Sequence, residues 1–359
     1  MLKIIHCADI HLDSPMKTHM TSEQASERNI EMIKSFIRLT EYAQKNGVRV
    51  VLISGDLFDS KRIKNQTVEE ILNAIRRTPD IDYLYLRGNH DEAVHIFSDC
   101  ILPQNFKRFT KEWQTLVYKN IAISGIEMTN ENAYSLYEEI HCIENYINIV
   151  TLHGNVGTTC GVDQINLNLL KGKGIDYLAL GHIHSYILEE FDDKSVYCYP
   201  GCLEGRGFDE CGDKGFVLIT IEQEHIHSEF VPFSSRKLHR VSVDSTGLVR
   251  NSQVIEKMLD STKDIPKRDM VEFTLIGSSD PTTNISENYI RKFIKNKFFF
   301  TKVKDKRTMS INLDDYKNDI SLKGEFIRLV LNSTDIDEED KATMIRIGIE
   351  ALSGEEIML

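Results

Sequence analysis

The chain has 359 residues, 41% of them hydrophobic and 27% charged; it is too long for one typical domain and rich enough to bury a sizeable core. A net charge of −12 argues against a protein that coats nucleic acid through a broadly basic surface, so a polyanion must meet positive charge locally. No apolar run is long enough to span a bilayer, and Met1-Leu2-Lys3-Ile4-Ile5-His6 turns polar too quickly for a signal peptide, so no membrane association and a cytoplasmic location are expected.

In chain order, Leu2 to Ala8 reads as a first strand, and Glu23 to Lys45 as a helix with Ile30, Ile33, Phe36 and Ile37 on one face. Val48 to Ser54 is a buried strand, Val68 to Arg77 a short helix, and Tyr83 to Arg87 the next strand. Ile121 to Ile126, Ile147 to Leu152 and Tyr177 to Leu180 continue the series, too apolar to have an exposed face, which predicts an α/β fold. Val196 to Tyr199 and Gly215 to Glu222 follow, and His225 to Pro232 returns as a hairpin partner. The composition turns polar and basic around Ser234–His239, which sets a boundary between residues 1–235 and a second domain over 236–313. There Leu238 to Val243, Val271 to Ile276 and Phe298 to Val303 read as strands, with helices at Gln253 to Asp260 and Glu287 to Lys295, a small α+β domain. Residues 314–359 form a tail with two helices from Lys323 onward, the second placing Ile345, Ile349 and Leu352 on one side. The seven cysteines are odd in number and lack zinc-type spacing, so they read as reduced structural thiols, Cys198 and Cys202 included.

Several early strands end alike: an apolar run stops and metal-binding side chains appear. The runs lead into Asp9-Ile10-His11, Gly55-Asp56-Leu57-Phe58-Asp59, Gly88-Asn89-His90-Asp91, His153-Gly154 and Gly181-His182-Ile183-His184. Open α/β sheets bind ligands beyond the carboxyl ends of their strands. In an extended segment, residues two apart point the same way, so Asp9 and His11 are expected to reach one ion. The glycines before Asp56, Asn89 and His182 suit tight turns that need a permissive backbone. Any one of these motifs alone is an ordinary turn or a satisfied histidine; five in order are a constellation.

The ordered set resembles the calcineurin-like metallophosphoesterase superfamily. Three segments, Ala8-Asp9-Ile10-His11-Leu12-Asp13-Ser14-Pro15, Gly55 to Asp59 and Tyr199-Pro200-Gly201-Cys202-Leu203-Glu204-Gly205-Arg206, look like its bacterial SbcD/YhaO-like DNA repair exonucleases. The resemblance implies a four-layer αββα metallophosphoesterase sandwich followed by a small α+β cap domain and C-terminal helices. It implies two divalent metal ions, one held by Asp9, His11, Asp56 and His184, the other by Asp56, Asn89, His153 and His182, with Asp56 bridging. Mixed oxygen and imidazole donors suit manganese, iron or zinc, and the family's nucleases favour Mn2+, with Fe2+ or Zn2+ also possible. His90 would act at the leaving group. Asp59 departs from archaeal and eukaryotic relatives that carry His there; an Asp beside His90 would orient the imidazole and favour its protonated form, a catalytic dyad, unless it only caps the following turn.

Two divalent ions against two carboxylate ligands leave a net positive site that attracts a phosphodiester despite the acidic chain. The expected activity is two-metal DNA exonuclease, 3′–5′ by resemblance, with single-strand endonuclease cuts also open. The alternative is a small-molecule or cyclic-nucleotide phosphodiesterase, and a third reading is a non-catalytic subunit, against which the intact ligand set argues. Arg206, Lys61 and Arg62 are candidate substrate contacts, although Arg206 equally suits a turn. Basic residues from Arg291 to Arg307 read either as a nucleic-acid track or as a solvated face, and Phe298, Phe299 and Phe300 read as core. By resemblance the partners are DNA, an SbcC-like ABC-class ATPase docking on the C-terminal helices, and a second copy in a homodimer; the last helix equally suits folding back on the cap domain.

Overall fold

The computed structural model describes residues 1–16, 20–59, 63–91, 97, 100–193, 195–279, 285–309 and 319–352. Two units divide the chain, Met1–Lys237 and Leu238–Leu359, and the helical tail falls in the second.

The first unit runs β1 (Leu2–Cys7), α1 (Ser22–Lys45), β2 (Val50–Ser54), α2 (Asn65–Arg76), β3 (Asp82–Leu86), β4 (Phe106–Arg108), β5 (Gln114–Tyr118), β6 (Ile121–Gly125), α3 (Leu136–Glu139), β7 (Ile147–His153), β8 (Asn155–Gly157), β9 (Gln164–Asn166), α4 (Leu167–Leu170), β10 (Tyr177–Gly181), β11 (Ile187–Asp192), β12 (Ser195–Tyr199), β13 (Gly215–Glu222) and β14 (His225–Pro232). Two six-stranded sheets result, ordered β14-β13-β1-β2-β3-β4 and β11-β12-β10-β7-β6-β5. The strands that lead into the ligand motifs all have parallel partners: β1, β2 and β3 pair in parallel in the first sheet, and β7 and β10 in the second. The hairpin of β13 and β14 adds antiparallel strands at one edge.

Strand alternation explains the layering. Ile4, Val50, Leu52 and Leu84 point from the first sheet toward Ile123, Ile149, Tyr177 and Ala179 of the second, forming a core between the sheets. Their neighbours Ile5, Val51 and Ile53 point outward and pack under Met32, Phe36 and Leu39 of α1 and Val68, Ile71 and Ile75 of α2. Val150, Leu152, Leu178 and Leu180 do the same on the far sheet, under Leu136, Tyr137 and Leu170. Helices, two sheets and helices make the four-layer αββα sandwich. Each such side chain contributes about 1.5–3 kcal/mol when fully buried. All seven cysteines are free thiols, with Cys198 and Cys202 wholly buried.

The buried face of α1 differs from the sequence expectation. Met32, Phe36, Leu39 and Ala43 face the core together with Arg28, Ser35 and Thr40, whereas Ile30 lies largely in solvent. The reason is polar. Glu204 is buried beside the helix, and it accepts hydrogen bonds from Arg28 Nη2 (3.2 Å), Ser35 Oγ (2.5 Å) and the Ser235 amide (2.6 Å). Satisfying that carboxylate turns Arg28 and Ser35 inward, while Ile33 still packs against the core. Thr21 and Gln24 close a capping box at the start of the helix.

A buried histidine ties the sheets together near the ligand motifs. His6 on β1 lies 3.1 Å from the Tyr177 hydroxyl and 3.2 Å from the Leu180 carbonyl on β10. Burial pushes its pKa down to about 3, so the ring is neutral. Its Nε2–H donates to Leu180, and its Nδ1 accepts from Tyr177.

The second unit contains β15 (Leu238–Asp244), α5 (Asn251–Asp260), β16 (Met270–Ile276), β17 (Ser278–Ser279), α6 (Glu287–Ile294), β18 (Phe300–Asp305), β19 (Thr308–Met309), α7 (Leu322–Leu331) and α8 (Glu338–Leu352). The parallel sheet β15-β16-β18 packs Val243, Val271, Phe273, Leu275 and Val303 against Val254, Met258, Ile290 and Ile294 of α5 and α6. Phe298 joins that core and Phe300 is buried. Helix α8 packs Ile345 and Ile349 on Ile327 and Val330 of α7, while Leu352 is exposed. No helix among the described residues is long and apolar enough to cross a membrane.

Candidate metal centre

The loops leaving β1, β2, β3, β7 and β10 converge. His11 Nε2 lies 3.1 Å from His184 Nε2, 4.0 Å from an Asp9 oxygen and 3.7 Å from Asp56 Oδ2. On the other side of Asp56, His153 Nε2 lies 3.4 Å from the same Oδ2 and 3.0 Å from Asn89 Oδ1, which is itself 3.2 Å from His182 Nδ1. Asp9, His11 and His184 therefore form one group of potential donors. Asp56 and His153 form a second with Asp9, and Asn89 and His182 adjoin it.

The backbone that delivers these side chains is not extended. Asp9, His11 and Asp56 have φ of 50°, 49° and 53°, and His182 has φ of 103°. These residues sit in the left-handed region that side-chain-bearing residues avoid, at about 1–3 kcal/mol each. Asp9 and His11 reach the same place because two left-handed residues turn the chain after the strand has ended at Cys7. The alternation expected from sequence does not operate here. Gly55 has φ of 96° and is also required for space, since a Cβ there would lie 2.1 Å from His153 Nδ1; at Gly88 a Cβ would lie 2.2 Å from Asp56 Oδ1.

Hydrogen bonds fix most donors by their far atoms. His153 donates Nδ1–H to the Ser54 carbonyl at 2.8 Å, which leaves Nε2 facing the site. The His182 amide donates to both Asp9 oxygens at 3.0 Å, and the His90 amide donates to Asp56 Oδ1 at 2.9 Å. Asp91, inside the third motif but given no role by sequence, accepts from the amides of Phe58 (2.8 Å), Gly88 (3.0 Å) and Leu57 (3.3 Å), locking two of the loops together.

The electrostatics call for positive charge. Asp56 is 1% exposed, and its Oδ2, between the two donor groups, has no hydrogen-bond partner. Burial opposes charge on both Asp56 and His153, yet their mutual attraction across 3.4 Å wins. Asp56 stays well below the ordinary carboxylate range, and His153 is lifted to about 9. Burial raises Asp9 to about 6, against the pull of His153 and His184. Burial and the charge of Arg206 hold His11 near 2. A proton on His153 thus stands where a cation would serve both carboxylates. An unsatisfied carboxylate oxygen flanked by imidazole nitrogens and an amide oxygen fits divalent metal ions of the borderline class.

A second cluster adjoins the first. His90 Nδ1 lies 2.8 Å from Asp59 Oδ1, and Asp59 Oδ2 accepts from Ser14 Oγ (2.8 Å) and Arg206 Nη1 (2.7 Å). His90 is 46% exposed, and its ring projects to the open side of the site. Arg206, only 17% exposed, also donates through Nη2 (2.9 Å) and Nε (3.2 Å) to Glu210. Sequence reasoning missed Glu210; the one signal was its position four residues after Arg206. Lys61 and Arg62 lie outside the described residues. Farther from the site, Arg236 pairs with Glu27 and Glu31, and Lys237 with Asp213.

Two sheets stacked between helices, with carboxylate, amide and imidazole donors gathered at one end of their strands, define a metallophosphoesterase architecture. The calcineurin-like phosphoesterase family model matches residues 2–186, just over half of the sequence, and the chain belongs to that family of hydrolases. Among curated relatives, it is 28% identical over 281 residues to the uncharacterized metallophosphoesterase YhaO of Bacillus subtilis, covering 73% of this chain and 67% of that one. It is 23% identical over 353 residues to the DNA double-strand break repair protein Mre11 of Sulfolobus acidocaldarius, covering 93% and 87%. A solved dimetal phosphatase from Danio rerio aligns with a TM-score of 0.43 at 8% identity, over 64% of this chain and 95% of that one.

Proposed function

We propose that the protein is a two-metal phosphodiesterase that degrades DNA, as a 3′–5′ exonuclease with some single-strand nicking, in DNA repair. The observation that carries the two-metal part is Asp56: a buried carboxylate with a free oxygen, flanked by Asp9, His11 and His184 on one side and Asn89, His153 and His182 on the other. Those seven residues would hold the ions, with Asp56 shared. When bound, the ions polarise the phosphate and lower the pKa of water for in-line attack.

The chain's own residues do the rest. Asp59 fixes the His90 ring through Nδ1, which leaves Nε2 to deliver a proton to the departing oxygen of the ester. Ser14 and Arg206 hold Asp59 in turn, so His90 enters the reaction already oriented. Support for DNA as substrate comes from the extent of likeness to a DNA double-strand break repair protein, which covers 93% of this chain and therefore reaches into the second unit. Manganese is the preferred metal by family resemblance, and the donor set suits iron or zinc as well. In this reading the 236–313 region is a DNA-binding cap, an SbcC-like ABC-class ATPase docks on the C-terminal helices, the enzyme works as a homodimer, and the site of action is the cytoplasm.

The test is purified protein with manganese on end-labelled duplex DNA, single-stranded DNA and a chromogenic phosphodiester. Stepwise shortening of labelled DNA is expected. Hydrolysis of the dye with both DNAs intact would replace this reading by a small-molecule phosphodiesterase.

A further inference from the structure

We propose that Glu210 is a positioning residue of the metal centre: it fixes the tautomer and the direction of the His184 imidazole, and Arg206 holds Glu210 in place to do so. The inference rests on the two-metal reading above and adds to it a carboxylate from a different loop, beyond β12 and outside the five ligand motifs.

The geometry is specific. His184 Nδ1 lies 2.6 Å from Glu210 Oε1, and its other nitrogen, Nε2, lies 3.1 Å from His11 Nε2 and 3.8 Å from an Asp9 oxygen. A carboxylate can only accept, so Nδ1 carries the hydrogen and Nε2 presents a bare lone pair toward Asp9 and His11. Arg206 Nη2 also lies 3.2 Å from His184 Nδ1, but both atoms are then donors, so the guanidinium donates to Glu210 and not to the ring. A free imidazole has no such fixed choice between its two nitrogens. A carboxylate partner on the far nitrogen sets the choice and makes the near nitrogen a better ligand.

Glu210 is itself held from several directions. It is 5% exposed. The Arg206 amide donates to its Oε2 at 2.6 Å, while Arg206 Nη2 and Nε donate to Oε1. Few rotamers satisfy all of these contacts, which gives the His184 ring a fixed reference. The neighbouring ligand His153 is fixed by a backbone carbonyl at Ser54, so the two imidazoles are oriented by different means. Substitution at position 210 therefore affects His184 selectively.

The experiment uses the full chain with 15N-labelled histidine, as wild type and as Glu210→Gln, Glu210→Ala and Arg206→Lys, with His184→Gln to assign the resonance. In the metal-free protein, two-bond 15N–1H spectra read the tautomer directly. Wild type is expected to show His184 protonated on Nδ1. Glu210→Ala is expected to move the ring largely to the Nε2–H form, and Arg206→Lys to move it part of the way. Manganese titration of the same proteins is expected to show one of two ions bound about 10–100-fold more weakly in Glu210→Ala, with the other unchanged. Glu210→Gln, which keeps an acceptor oxygen and the side-chain shape, is expected to fall between. Thermal unfolding checks that each variant folds, and the isosteric Gln variant keeps the test alive should Ala fail. An unchanged tautomer, or wild-type affinity for both ions in Glu210→Gln and Glu210→Ala, would overturn the proposal. Wild type that binds no manganese would instead overturn the two-metal reading, and the metal-free spectra would still decide whether Glu210 positions the ring.

Discussion

Two buried carboxylates, one in each unit, show how differently the same group can be treated. Glu272, in the middle strand of the small sheet, is 2% exposed and has three cations around it: Arg240 Nε at 3.3 Å, Lys304 Nζ at 2.9 Å and Lys302 Nζ at 3.7 Å. Strand register explains the arrangement, because Arg240, Glu272 and Lys302 are aligned neighbours across β15, β16 and β18. Asp56 is as deeply buried, yet it meets imidazoles and one backbone amide, has an oxygen with no partner, and stands on a left-handed residue. Charge in the small sheet is satisfied internally, whereas at the end of the large sandwich it is arranged to be satisfied from outside. A buried carboxylate oxygen without a hydrogen bond and strained backbone coincide there, as expected of a site that trades stability for function.

The sharpest way to break that contrast is to neutralise each carboxylate. Asp56→Asn is expected to reduce phosphodiester hydrolysis to background and to lower metal-free stability by about 1–3 kcal/mol, since the buried His153 cation loses the carboxylate that stabilises it. Denaturant unfolding with and without chelator reads both effects; stabilisation by added metal as large as in the wild type would mean that Asp56 is not a ligand. Next in size is Asp59→Asn, expected to lower turnover about 10²–10⁴-fold with metal content intact. Unchanged turnover would remove the Asp59–His90 pair from the reaction.

Metal affinity should depend on pH through His153. That ring is held protonated up to about 9 by Asp56, and a cation must displace the proton, so affinity falls as the pH is lowered. One displaced proton corresponds to about tenfold per pH unit below about 9, steepening below about 6, where Asp9 also takes up a proton. A manganese titration that is flat between pH 6 and 8 would contradict this assignment. The smallest effect is expected at Glu272→Gln, which strands three partly exposed bases. Solvent screens them, so the cost is about 1–2 kcal/mol in unfolding, with metal binding unchanged. A loss of metal binding would show that the two carboxylates are not independent.

The legible part of this molecule was the part governed by simple periodicity. Apolar runs located the central strands, and the ligand types that follow them located the loops that converge. The fully buried β2 and β7 were evident because both of their faces are covered. The half-exposed β5 and β11 at the sheet edges left no comparable signal. The α1 face was legible only in part: Ile33 and Phe36 pack on the core, but Glu204, far away in sequence, draws Arg28 and Ser35 inward, and no local pattern encodes such a partner. The left-handed turns at Asp9 and His11 were hidden for a related reason: surrounding structure imposes them against residue preference. Glu210 is one acid in a loop, and only folding brings it against His184.

The central claim is that the two donor groups around Asp56 hold a pair of cations. Crystals grown with manganese and measured at its absorption edge test it directly. Two anomalous peaks are expected, both within bonding distance of Asp56 Oδ2, one beside His11 and His184 and the other beside Asn89, His153 and His182. A single peak, or none, with these side chains placed as described here would contradict the account.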